Sequence, residues 1–197
     1  MLDALEAAIM TADADRRIRC VVLTGAGKAF STGGDLSDMI PGAGLVSEDP
    51  AETRDNYRHG NQRLPRLFES IEVPVIAAVN GAAVGAGCDL VCMCDIRIAG
   101  ASARFAESFV KLGLISGYGG AWLLPAVVGY SRAAEMALTG DWVDAQQALA
   151  IGLVSQVVAD DELIDRAFEL AARIAANPPG TKRITKRLLK RWRGMPR

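Results

Sequence analysis

Two glycine-punctuated turns and one carboxylate in an apolar segment are the features of this chain best suited to chemistry. The first turn runs Gly25-Ala26-Gly27-Lys28-Ala29-Phe30-Ser31-Thr32-Gly33-Gly34-Asp35-Leu36. The second runs Asn80-Gly81-Ala82-Ala83-Val84-Gly85-Ala86-Gly87-Cys88-Asp89-Leu90. Glycine serves where backbone must bend tightly or approach a ligand closely. The second turn leads into an apolar stretch that reads as a helix. A helix start exposes unpaired N–H groups and partial positive charge, which suit a developing oxyanion. Taken alone, either turn could equally serve only close packing. Neither is a phosphate-binding P-loop, because no Gly-Lys-Ser/Thr triplet occurs. Asp89 falls in the first turn of the apolar helix. A carboxylate there is costly to bury unless the site uses it, the alternative being that it complements the helix N-terminus.

Each turn needs a rigid element behind it. Residues 20–24 and 75–79 are short, apolar and β-branched, and read as buried strands that deliver the two turns. Residues 96–99 read as a third strand. Helical periodicity covers 2–14, 53–71 with a break or kink at Pro65, and 86–93. It continues near 119–128, 131–139, 144–150, 160–176 and 180–193, with Pro178-Pro179 between the last two. Residues 41–50 read as a loop. Strands alternating with helices give an α/β fold. No internal repeat is evident.

Composition excludes several classes. The chain has 197 residues and is 50% apolar, enough for one well-packed domain and far from a disordered composition. Cys20, Cys88, Cys92 and Cys94 have no framework spacing, and the only histidine is the remote His59, so no metal site is expected. The apolar stretch 73–93 contains Asn80, Asp89 and several glycines, a pattern of buried α/β core and not of a bilayer span. Met1 leads straight into Leu2-Asp3-Ala4-Leu5-Glu6 without a basic leader, and a cytoplasmic location is expected. Net charge is −1 but uneven: residues 182–197 carry eight basic side chains and no acidic one. In isolation such a segment suggests a membrane surface, nucleic acid or an acidic partner.

The chain resembles the crotonase (enoyl-CoA hydratase/isomerase) superfamily. KAFSTGGDLSDM, from Lys28 to Met39, is similar to its first signature, and NGAAVGAGCDLVCMCDIRIA, from Asn80 to Ala99, to its second. FAESFVKLGLISGYGGAWLLPAVVG (Phe105 to Gly129) and TGDWVDAQQALAIGLVSQVV (Thr139 to Val158) match the segments that follow, in order and with the expected spacing. The resemblance implies an α/β spiral of ββα units with C-terminal helices, assembled as a homotrimer or a dimer of trimers. It implies a core over 1–140 and a helical segment over 141–197 for trimerisation and for covering coenzyme A. It also implies an acyl-CoA thioester substrate, with coenzyme A part of that substrate and no separate cofactor, metal, nucleic acid or membrane partner.

Site residues follow position by position from that resemblance. The backbone N–H groups of Gly34 and Ala86 map onto the oxyanion hole. Asp89 maps onto one of the two hydratase glutamates and is one methylene shorter. The second glutamate position falls at Phe109, which can be neither acid nor base. Glu107, two residues earlier, could compensate; otherwise it is a surface or salt-bridged carboxylate. Tyr118 could orient water or donate a proton, or it could line the acyl pocket. Ala29, Gly33, Asp35, Gly85, Phe109 and Gly117 are expected to be substrate- or CoA-binding positions. Lys28, Lys182 and Lys186 are candidate phosphate contacts, the alternative being solvated lysines. Ile184, Leu188 and Trp192 share one face of the last helix, the face expected to pack on the core. Both chain ends look short beside full-length relatives. Hydration of a 2-enoyl-CoA is the expected reaction. The alternatives are Δ3–Δ2 isomerisation through a single carboxylate and an acyl-CoA-binding protein with weak catalysis.

Overall fold

The computed structural model describes residues 1–34 and 44–193. Asp35 of the first turn, along with the rest of 35–43, lies outside the described residues. Two four-stranded sheets form the scaffold. Strands β1 (Val21–Thr24), β3 (Val75–Val79), β5 (Ile96–Gly100) and β8 (Gln156–Val158) make one all-parallel sheet in that order. Strands β2 (Ala29–Ser31), β4 (Ala82–Val84), β6 (Arg104–Ala106) and β7 (Val143–Asp144) make the other. Its first three strands are parallel, and β7 runs antiparallel to β6.

The chain alternates between the sheets. Each long apolar strand enters the first sheet, turns at glycine, and contributes a short strand to the second before a helix returns it. This is the expected ββα spiral. The short strands β2, β4, β6, β7 and β8 carry too few residues for a periodicity signal and were not anticipated. The central strand β3 is buried along its whole length, so its Val-Ile-Ala-Ala-Val run has no polar alternation.

Helix α1 (Leu2–Ala14) has the bounds that its apolar pattern predicts. The predicted helix over 53–71 is instead two helices, α2 (Pro50–His59) and α3 (Arg63–Ser70). Gly60 ends the first, and Pro65 sits in the first turn of the second, where its missing N–H costs nothing. Helices α4 (Ala86–Met93), α5 (Gly120–Val128), α6 (Tyr130–Thr139), α7 (Ala145–Ala150), α8 (Leu163–Ala175) and α9 (Pro179–Arg193) complete the chain. One large core includes Phe68, Val79, Val91, Phe105 and Leu124, and it extends into Ala148, Leu153 and Val154. A smaller core packs α8 on β3 and β5 through Ile76, Ile98, Leu163 and Ala167. Among the described residues no helix is long and apolar enough to cross a membrane.

Helix α9 corrects two expectations. Its basic face, not its apolar face, is turned inward. Lys186 is buried, with Nζ 2.7 Å from Asp95 Oδ2 and 2.6 Å from the Val73 carbonyl, so it is not available to a phosphate. Arg183 pairs with Asp13 at 2.9 Å, Arg187 with Glu72 at 3.2 Å, and Lys190 donates to the Phe68 carbonyl. The carbonyls of Phe68 and Ile71 belong to the negative end of α3, which attracts cations. Ile184 and Leu188 are exposed. Lys182 is partly buried and donates to the Ile174 carbonyl at 3.4 Å.

Candidate active site

The second sheet brings the two glycine turns together. Strand β4 pairs with β2 on one side, Ser31 opposite Ala83, and with β6 on the other, Val84 opposite Ala106. The turns that leave these strands therefore emerge side by side. Gly33 has φ +95°, and a Cβ added there would lie 3.1 Å from the Val84 carbonyl oxygen and 3.6 Å from the Ala86 nitrogen. The backbones of the two turns are in direct contact. Gly85, at φ +52°, swings the chain from β4 into α4, so Ala86 is the first helical residue. Its N–H has no intrahelical acceptor and lies at the positive end of the helix.

A cavity of about 680 Å³ opens on these turns, lined by Ser31, Gly33 and Gly34 from the first and Ala86 from the second. Phe109, Leu114, Gly117 and Tyr118 form another wall. Gly117 sits against Tyr57, where an added Cβ would fall 2.3 Å from the ring. Lys28 is exposed ahead of β2, and Ala29 is a β2 residue opposite Ala82.

The register Val84↔Ala106 places Glu107 beside the start of α4, and Asp89 follows one turn into that helix. The two carboxyls meet in the interior: Asp89 is 0% and Glu107 3% exposed. Glu107 is thus not a surface carboxylate, and among the described residues it has no salt-bridge partner. Ser116 Oγ donates to Asp89 Oδ2 at 2.7 Å and accepts from the Gly120 N–H at 3.0 Å. Among the described residues no other group bonds Asp89 Oδ1 or Glu107 Oε1, and one proton shared by the two carboxyls satisfies the pair. Burial raises Asp89 to about 6, opposed by hydrogen bonds from Ser116 and Glu107. Burial and the Asp89 charge raise Glu107 to about 10. At neutral pH the pair therefore holds one charge and one proton between them, and the Ser116 hydroxyl on Asp89 Oδ2 favours the charge there.

Tyr118 is buried, and desolvation followed by the Asp89 charge raises its phenol to about 12, so it remains a donor at neutral pH. Phe109 packs its ring over Gly85, about 3.5 Å from where a Cβ would stand. Phe109 and Leu114 also line a second cavity of about 370 Å³, mostly apolar, whose wall includes Glu107 and Ser116. The carboxyl pair lies behind this shared wall. Sequence reading missed Ser116 altogether; its place four residues before Gly120, at the start of α5, was the available signal. Among the described residues no group of three or more His, Cys, Asp or Glu side chains could hold a metal ion.

The buried pair has a measurable cost. Folded Glu107 keeps its proton to about pH 10, whereas the unfolded side chain releases it near 4.5. The native state binds the extra proton between those values, so stability falls as pH rises through that window. Glu107→Gln retains an N–H donor toward Asp89 and cannot ionise. Its melting midpoint is expected to exceed that of the native protein by roughly 3–8 °C at about pH 8, and by less at about pH 5. Equal midpoints at both pH values would mean that Glu107 is not held protonated.

The chain matches known proteins in sequence and in fold. The family model described as enoyl-CoA hydratase/isomerase matches residues 1–193. The chain is similar to the short-chain-enoyl-CoA hydratase of Clostridium acetobutylicum, with 40% identity over 178 residues, 90% of this chain and 66% of that protein. It is also similar to the 1,2-epoxyphenylacetyl-CoA isomerase of Escherichia coli, with 43% identity over 168 residues, 83% of this chain and 62% of that protein. The solved structure of an enoyl-CoA hydratase from Bacillus anthracis superposes with a TM-score of 0.89 at 33% identity, covering 99% of this chain and 73% of that one. The chain thus spans somewhat under two thirds of the length of these two curated relatives.

Proposed function

Because the chain belongs to the enoyl-CoA hydratase/isomerase family, we propose that it hydrates a 2-enoyl-CoA thioester with the Asp89–Glu107 pair as its proton-transfer groups. The observation that carries this reading is the pair itself, two carboxyls with values pushed apart, one helical turn from the Ala86 donor. Hydration needs one base and one acid, and Phe109 can supply neither.

The thioester oxygen accepts from the Gly34 and Ala86 N–H groups, which hold the negative charge as the enolate forms. The Asp89 carboxylate takes a proton from water as its oxygen bonds to C3. Glu107 gives its proton to C2, and the C2–C3 double bond becomes single. The proton then passes from Asp89 to Glu107 through their shared hydrogen bond, which restores the starting state. Tyr118, at the cavity wall, is suited to orient the thioester or the water. Lys28 is retained as a candidate phosphate contact. Exposed Ile115, Trp122, Tyr130 and Leu138 support self-association, for which a homotrimer is the expected form.

One observation favours a second reading, double-bond isomerisation through Asp89 alone: Phe109 stands where a second hydratase glutamate is expected. Incubation with 2-enoyl- and 3-enoyl-CoA thioesters, with products resolved by mass and retention, separates the readings. A product heavier by one water supports hydration. Unchanged mass with shifted retention replaces it with isomerisation. Binding without conversion leaves the acyl-CoA-binding reading.

A further inference from the structure

We propose that Ser116 is a positioning residue that assigns the charge of the carboxyl pair to Asp89 and its proton to Glu107. The inference rests on the reading of Asp89 as the base.

The geometry fixes the direction of the serine proton. Ser116 Oγ accepts the Gly120 N–H at 3.0 Å, so its single hydroxyl proton is directed at Asp89 Oδ2, 2.7 Å away. A donor aimed at a carboxylate favours its ionised form. Gly120 is the first residue of α5, so the same serine links Asp89 to the positive end of a nine-residue helix. Among the described residues Glu107 has no equivalent donor. The thiol of Cys88 is the group beside it, and thiols donate weakly. The other titratable groups facing the pair are Cys92, on α4, and the phenol of Tyr118, which is raised to about 12 and stays a neutral donor at neutral pH. Of the fixed donors on Asp89 the Ser116 hydroxyl lowers its pKa most and the Gly120 N–H less, so the asymmetry of the pair comes first from the hydroxyl.

Space enforces the arrangement. A Cβ at Gly120 would fall 1.7 Å from Asp89 Oδ1 and 2.8 Å from Ser116 Oγ, so no side chain fits among the three. Asp89, Ser116 and the α5 backbone form one packed unit, 27 residues apart in sequence between the aspartate and the serine.

The test reads the Asp89 carboxyl directly, by carbon NMR on protein labelled at the aspartate side-chain carboxyls, with the resonance identified by Asp89→Asn. The native midpoint is expected near 6. In Ser116→Ala the midpoint should rise by about one pH unit. Ser116→Thr should return it to the native value, and Ser116→Cys, a weaker donor of similar size, should move it upward by less. In turnover assays the acid limb should move with the midpoint while KM changes little. A folded Ser116→Ala or Ser116→Cys protein whose Asp89 midpoint stays at the native value overturns the proposal. The titration needs no substrate, so a native protein that fails to hydrate a 2-enoyl-CoA overturns the hydration reading and leaves the Ser116 result intact.

Discussion

Asp89→Asn is expected to lower turnover of a 2-enoyl-CoA by about 10³-fold while acyl-CoA affinity stays within about threefold. The asparagine oxygen can still accept from Ser116 Oγ, and its amide can donate to Glu107, so the buried hydrogen bonds have replacements. What is lost is the group that takes a proton. The proposed oxyanion donors are backbone groups of Gly34 and Ala86, which the substitution does not touch, so binding of the thioester should persist. The pH profile gives an independent check. With Asp89 titrating near 6, the ionised base is depleted as pH falls through that value, and the native rate should fall along an acid limb there. Full activity in Asp89→Asn, or a native rate flat between about pH 5 and 7, would remove Asp89 from the chemistry.

Gly87→Ala is expected to be strongly disruptive. An added Cβ would lie 2.1 Å from the Ser31 carbonyl oxygen and 2.8 Å from its carbon. Both are backbone atoms of β2, which is held by pairing with β4, so they cannot swing aside as a side-chain tip would. Either α4 lifts from the sheet or β2 is pushed out. Each costs about 3 kcal/mol, and each separates the Ala86 N–H from the Gly34 turn. Chemical denaturation should show the loss, and turnover should fall with it. Gly180→Ala is the matched control: nothing stands within 4 Å of its added Cβ, and in α9 the exchange should be neutral or stabilising by up to about 1 kcal/mol. If Gly87→Ala proved as stable as Gly180→Ala, the close seating of α4 on β2 would be wrong.

Local sequence determined much of this protein. The Val-Ile-Ala-Ala-Val run reads as a buried strand and is one, α1 has the bounds of its apolar stripe, and the two glycine turns marked segments that meet at one cavity. These signals lie within a few residues of the structure they specify. The carboxyl pair was not legible in the same way. Asp89 and Glu107 are 18 positions apart, joined through β5 and β6, and nothing near Glu107 distinguishes a buried acid from an exposed one. The pairing of Val84 with Ala106 decides it, because that register delivers Glu107 to the mouth of α4. Helix α9 shows the same limit. Its sequence offers an apolar face and a basic face, and amphipathicity points the apolar one inward. The surface it docks on presents Asp13, Glu72, Asp95 and the carbonyl end of α3, so the basic face is the one that is buried. A residue's own pattern fixes its local conformation. Which of its faces is buried, and which distant group it meets, depends on what the rest of the chain has already placed opposite it.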